Sequence, residues 1–272
     1  MSPRAVPATA VSVGIAPLLV LARRGAIHSV FARALNLELG GCLVTVAHER
    51  AGRLPNGITV AGAPDFLTLG LGPGDRVDID REAIRSGGPG AIVELGQATA
   101  WDPTLPPAQG WTDPARRRRL LEPVPAGGLG TPHADPWGAW RHIDRLRGCT
   151  ALGDLDGAES AAVALVGLGP GLTPSGDDLL VGCSAALRAA GHPLAAALSA
   201  RIAAAARGRT TDVAQSFHDH AARGAYAERL RDVVLATDAA ALTAAVARAL
   251  AWGATSGADT LLGVLVGAQA VA

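Results

Sequence analysis

Apolar residues change their period once along this chain, and that change limits the fold more than any single motif does. Up to about residue 100 they come in short runs closed by turn residues: Cys42 to Ala47, Pro55 to Val60, Phe66 to Leu69, Arg76 to Ile79 and Ala91 to Leu95. Gly72-Pro-Gly-Asp75 and a Gly-Gly-Pro-Gly stretch at 87–90 stand between them. Short runs at this spacing, broken by glycine and proline, predict the strands of a small barrel or sandwich. From Trp137 onward, alanine-rich stretches have helix composition and helix spacing: Leu179 to Ala190, Leu194 to Arg207, Val213 to Leu235 and Ala239 to Trp252. Strand and helix content is segregated and does not alternate. The expected fold class is therefore α+β, a small N-terminal β barrel or sandwich domain followed by a mainly α-helical C-terminal domain, and not a doubly wound sheet. The expected boundaries are 1–101 for the first domain and 137–272 for the second. Residues 102–136 hold eight of the 18 prolines and read as a connecting segment.

One absence limits the chemistry. The chain has no lysine, so all 24 basic residues are arginine. That excludes a Schiff-base lysine, a pyridoxal-phosphate anchor and a Walker-type phosphate loop. Any bound anion must meet arginine forks, hydroxyls or backbone amides. A net charge of zero and 3% aromatics argue against nucleic acid and anionic membrane as partners. Cys42, Cys149 and Cys183 are far apart, which suits a reducing cytoplasm and suggests neither a disulfide framework nor a zinc cage. The apolar run Val11 to Ala22 is too short to span a bilayer, and its arginines follow it, unlike those of a secretory signal. Leu261 to Ala272 reads as a buried helix in which Gly263 and Gly267 allow close contact. The run Arg116 to Arg119 reads as a solvated face.

The chemistry concentrates in Gly167-Leu-Gly-Pro-Gly-Leu-Thr-Pro-Ser-Gly-Asp-Asp178. Its glycines and prolines cannot continue a helix. Ser175 is then placed as an N-cap, with Asp178 completing a capping box. A second copy follows: Ser175 to Gly182 and Ser256 to Gly263 both read Ser-Gly-x-Asp-x-Leu-x-Gly, with Thr173 and Thr255 just before the serines. Two ordinary capped helix starts would account for the serines and aspartates. They leave the long glycine-proline loop and the extra hydroxyls without a reason. Helix starts with free N–H groups bind anions, and two that converge can hold both ends of a small anionic substrate. On that reading Gly169, Gly171, Thr173, Ser175 and Gly176 bind the anion, as do Thr255, Ser256 and Asp259. Asp177 and Asp178 would repel a phosphate, so they are expected to accept amide N–H groups or to hold Mg²⁺. No other cofactor and no resident metal site is implied. His218 and His220 are spaced i, i+2, which argues against a two-histidine helical metal site. His28 and Ser29 lie on an apolar strand, where a core histidine and hydroxyl are the plain alternative to a site. Tyr226 offers no basis for a role.

The central motif resembles the hallmark of the family typified by AllH, a subunit of oxamate carbamoyltransferase in allantoin breakdown. Ile27-His-Ser-Val-Phe31 with Asn36, and Pro55-Asn-Gly-Ile58, resemble its N-terminal markers. Thr210-Thr211 and Thr255-Ser-Gly-x-Asp259 resemble its C-terminal ones. The resemblance implies carbamoyl transfer between oxalurate and phosphate, giving oxamate and carbamoyl phosphate, or the reverse. It also implies a hetero-oligomer with two other subunits. It brings His28 in beside Asp177 and Asp178 as catalytic candidates, and Ser29 and Thr211 as binding ones. Three readings stay open at this point: a catalytic carbamoyltransferase component, a non-catalytic anion-binding or assembly subunit, and an independent amide hydrolase.

Overall fold

The computed structural model describes residues 5–21, 24–62, 64–80, 82–86, 92–108, 113–122 and 124–271. Ala22, Arg23 and the glycine turn at 87–90 fall outside them. The chain divides into two compact units, Met1–Pro103 and Thr104–Ala272.

In the first unit, β1 (Ala5–Ser12) and a short helix α1 (Ala16–Leu21) precede β2 (Arg24–Phe31), β3 (Ala34–Leu39), β4 (Cys42–His48) and β5 (Gly57–Val60). Then come β6 (Arg76–Ile79), β7 (Ala83–Ser86), β8 (Ile92–Glu94) and β9 (Thr99–Trp101). The strand order β5-β4-β3-β2-β6-β7-β8-β1 is closed by a further β1–β5 pairing, so eight strands form a barrel. β9 joins the C-terminal half of β1, where the β1–β8 ladder has ended. Closure removes the exposed strand edges that an open sheet would carry. Leu35, Leu37, Val44, Val46, Ile58 and Val60 belong to the apolar core of this unit. The strand period of two turns the intervening Asn36 and Thr45 to the opposite face, and both are buried. Phe66 to Leu69, expected as a strand, is a 3-10 turn instead. Asp65 accepts the Leu67 N–H at 3.0 Å, and this local side-chain bond competes with a ladder.

The second unit contains α2 (Pro114–Leu121), α3 (Trp140–Ala151), α4 (Leu155–Val163), α5 (Ser175–Ala189) and α6 (Ala195–Ala206). It continues with α7 (Asp212–Ala222), α8 (Glu228–Leu235), α9 (Ala239–Leu250) and α10 (Ser256–Ala270). The stretch Val213 to Leu235, which reads as continuous, is two helices broken around Gly224. The proline-rich segment folds with this unit: Leu105, Leu120 and Leu129 are fully buried. The run Arg116 to Arg119 is not simply a solvated face. Arg116 is half-buried and donates to the Val233 and Val234 carbonyls, closing the C-terminal end of α8. Among the described residues no helix is long and apolar enough to cross a membrane.

α5 and α10 form the centre of this unit. Two apolar clusters flank them, and both helices contribute to each cluster. Their backbones touch. A Cβ at Gly182 would collide with the Thr260 carbonyl, one at Gly263 with the Leu179 carbonyl, and one at Gly267 would lie 2.9 Å from the Cys183 carbonyl oxygen. The Leu179–Gly263 and Cys183–Gly267 contacts advance together along both helices, so the pair is parallel, and the contact of Thr173 with Ser256 sets the two N-termini side by side.

Candidate functional site

The loop before α5 folds back over the helix start. Gly169 and Gly171 have φ of 104° and 100°, a region L side chains rarely enter. A Cβ at Gly169 would lie 3.1 Å from the Ser175 amide nitrogen. The N-cap is Pro174, and no side chain caps the helix, which corrects the expected Ser175–Asp178 capping box. The Asp177 and Asp178 amides both turn to the Pro174 carbonyl, at 2.9 and 3.1 Å, and the Gly176 amide to Leu168, at 2.9 Å. Donors therefore remain in the loop and at the first helical position. Among the described residues, the amides of Gly169, Gly171, Leu172, Thr173 and Ser175 meet no protein acceptor. The Ser175 side chain also makes no hydrogen bond to a described residue, although the residue is buried.

The second copy lies against the first. Thr173 Oγ1 and Ser256 Oγ are 2.9 Å apart. Thr255 is the N-cap of α10 and makes no side-chain cap bond, so the expected capping role of Ser256 and Asp259 is also corrected. Asp259 reaches outward instead: its carboxylate accepts the Gly128 amide at 3.1 Å and the Leu129 amide at 3.4 Å. The Gly127–Gly128 turn lies so close that a Cβ at Gly128 would collide with Ser175 Oγ and lie 3.2 Å from Thr255 Oγ1. Trp137 Nε1 holds the same turn through the Gly128 carbonyl at 3.0 Å. Sequence reasoning treated this turn as part of a connector. Its paired glycines were the available signal.

The three carboxylates of the two copies do different things. Asp177 is buried and organises the loop: its carboxylate accepts the Gly167 amide at 3.0 Å and the Thr210 hydroxyl at 2.6 Å, and pairs with His218 Nε2 at 2.8 Å. His218 was set aside because it shares no helix face with His220. Its partner comes from another helix. Thr211 caps α7 through the Ala214 amide at 3.1 Å and donates to the Leu172 carbonyl, so it ties down the loop. Asp178 is the exception. Burial pushes its carboxyl well above the usual range; the neighbouring Asp259 and Asp177 carboxylates push the same way, against the hydroxyls of Ser256 and Thr173. Its Oδ2 is buried and meets no hydrogen-bond partner among the described residues. His220 is driven down to about 4 by burial and by Arg223, so it is neutral packing material. Tyr226 is likewise internal, its hydroxyl 2.8 Å from Ser184. Among the described residues no group of three or more His, Cys, Asp and Glu could hold a metal ion.

In the barrel unit, His28 Nδ1 lies 3.1 Å from Ser29 Oγ. A polar row continues from there across neighbouring strands: Asn36 Nδ2 donates to Ser29 Oγ at 2.9 Å, Thr45 Oγ1 to Asn36 Oδ1 at 2.8 Å, and Asn56 Nδ2 to Thr45 Oγ1 at 3.2 Å. The markers His28-Ser29, Asn36 and Asn56 are thus one hydrogen-bonded chain.

Residues 165–268 match the family described as oxamate carbamoyltransferase subunit AllH, and residues 9–100 match the AllH family N-terminal domain. No solved structure matches the chain.

Proposed function

The chain belongs to the AllH family, and on that premise we propose that the paired starts of α5 and α10 handle the carbamoyl group in an oxamate carbamoyltransferase that this chain forms with other subunits. In the phosphorolytic direction a phosphate oxygen attacks the carbamoyl carbon of oxalurate. The bond from that carbon to the oxamate nitrogen breaks, and the phosphate proton passes to that nitrogen, leaving oxamate and carbamoyl phosphate.

The observation that carries this reading is Asp178, a buried carboxyl held toward its neutral form, with one oxygen that has no hydrogen-bond partner among the described residues. A neutral carboxyl donates a proton or a hydrogen bond, which suits the carbamoyl oxygen as charge builds there, or the leaving nitrogen. The five unengaged amides and the Ser175 hydroxyl stand where two parallel helix dipoles favour phosphate or carboxylate oxygens. Asp177 with His218, and Thr211, position the loop. His28 and Ser29 enter this proposal through the family markers they belong to. The three cysteines are free thiols, in keeping with a cytoplasmic setting.

A second reading, an anion-binding or assembly subunit, has its own support: Asp177 and Asp259 are already engaged with protein groups. Carbamoyl phosphate formation from oxalurate and phosphate separates the two, measured on the chain alone and with its partner subunits. The catalytic reading expects Asp178→Asn to lower turnover of the assembled enzyme by about 10²-fold or more, with assembly intact. The binding reading expects Ser175→Ala and Asp178→Asn to weaken phosphate binding while turnover at saturation stays within a few-fold.

A further inference from the structure

The paired helix starts are covered. Ser175, Asp178 and Asp259 are 1%, 5% and 0% exposed, so a ligand reaches them only when a neighbouring group moves aside. That neighbour is the Gly127–Gly128 turn. A Cβ at Gly128 would collide with Ser175 Oγ and stand 3.2 Å from Thr255 Oγ1 and 3.3 Å from Asp259 Oδ2. One at Gly127 would collide with Asp259 Oδ1. Peptide backbone therefore lies directly on oxygens from both helix starts.

The turn is lightly held. The Gly128 amide donates to Asp259 Oδ2 at 3.1 Å, the Leu129 amide reaches Oδ1 at 3.4 Å, and Trp137 Nε1 donates to the Gly128 carbonyl at 3.0 Å. Pro125 and Ala126, just before it, are exposed, while the buried Leu129 side chain anchors its far end. A short segment with an exposed flank and few bonds opens far more readily than the whole fold.

Asp259 indicates what such an opening exchanges. Its two oxygens accept one N–H each, from consecutive peptide groups. A ureido group, –NH–CO–NH2, carries one N–H on each nitrogen pointing the same way, so it offers a carboxylate the same pair of donors. A dicarboxylate such as oxalate offers none. Lifting the turn for oxalate would leave the Asp259 carboxylate buried and unmet, which is strongly unfavourable.

We propose that the Gly127–Gly128 turn is a gate occupying the place of the ligand's ureido group, and that Asp259 admits the ligand by exchanging the Gly128 and Leu129 amides for its two N–H groups. The proposal rests on the carbamoyl-transfer reading, which supplies a ureido substrate. Asp259 is then a specificity-determining residue. Trp137, 45% exposed, is a positioning residue that sets how readily the gate opens.

Amide NMR and calorimetry on the full chain, with oxalurate and separately with oxalate, test this. Oxalurate is expected to move the Gly128 and Leu129 amide signals and the Trp137 indole signal, while oxalate leaves all three in place. Asp259→Asn exchanges one acceptor oxygen for an N–H donor and is expected to weaken oxalurate binding about tenfold or more. Trp137→Phe removes the bond to the Gly128 carbonyl, so oxalurate should bind about two- to tenfold more tightly. A merely structural turn would give weaker or unchanged binding in that variant. Absence of oxalurate binding, binding that leaves the three signals unmoved, equal movement by oxalate, or no gain in Trp137→Phe overturns the gate. Carbamoyl phosphate formation by the assembled enzyme is read separately. Turnover with an unresponsive turn removes the gate alone, whereas a responsive turn without turnover upholds the gate and removes the carbamoyl-transfer reading.

Discussion

Thr173 and Ser256 are 83 positions apart in the chain, and their hydroxyls share a hydrogen bond of 2.9 Å. One belongs to the loop before α5, the other opens α10. Their contact joins the two Ser-Gly-x-Asp copies at the point where Asp178 is buried. The pairing depends on helix packing further along, where glycines replace the side chains that would hold two helices apart.

That packing is directly testable. Gly182→Ala and Gly263→Ala each add a methyl group that collides with a backbone carbonyl on the facing helix. Each is expected to lower stability by about 1–3 kcal/mol in denaturant unfolding. Gly148→Ala, in the exposed interior of α3 with nothing near its Cβ position, should instead raise stability by about 0.5–1 kcal/mol. Equal effects in all three would mean that close helix approach is not what these glycines supply.

Asp178 gives a pH signature. A carboxyl whose folded-state pKa stands above its ordinary value of 3.8 keeps its proton longer in the folded protein, so stability falls as pH rises through that interval. Asp178→Asn removes this loss. At neutral pH the variant is expected to melt at a higher temperature than wild type, and the gap should close as pH approaches 3.8. Parallel melting curves across this range would show that burial does not perturb the group.

His218 and Asp177 form a buried pair whose removal should be felt in the fold. His218→Phe fills the space and leaves Asp177 Oδ1 without its partner, at an expected cost of about 1–3 kcal/mol. Amide exchange should quicken at Gly167, because the same carboxylate holds that amide. If stability and exchange both stay unchanged, the pair is not what fixes the loop.

His220 acts at the acid end. Its folded pKa of about 4 lies below the ordinary 6.5, so the stability it carries is complete above 6.5 and is lost as pH falls toward 4. The shift corresponds to roughly 3 kcal/mol. His220→Leu should flatten the stability profile between those limits, read by chemical denaturation at several pH values.

Much of the helical unit was legible because alanine and leucine recur at helical spacing over long stretches, as in α5, α6 and α9. The echo between Ser175 and Ser256 was legible too, and with it the expectation that the copies converge. What was not legible depended on partners distant in sequence. Phe66 to Leu69 is apolar enough for a strand, yet Asp65 bonds it into a turn. His218 was judged only against His220 on its own helix, whereas Asp177 meets it across 41 positions. The Gly127–Gly128 turn sits in a proline-rich stretch whose composition suggests a connector. Only the position of Asp259 reveals its place beside Ser175. The capping boxes failed for a local reason: Pro174 and Thr255 occupy the cap positions and leave Ser175 and Ser256 inside the first turn.

The backbone contact between α5 and α10 also makes the pair a ruler. With no side-chain layer between the helices, atomic radii set the separation of their two hydroxyl-bearing ends, and rotamers or core volume have little influence on it. Substitutions in the surrounding apolar clusters can soften the unit without changing that length. Selection for a longer or shorter ligand would therefore act on the covering segments, Gly169 to Ser175 and Gly127 to Gly130, while the span beneath them stays constant.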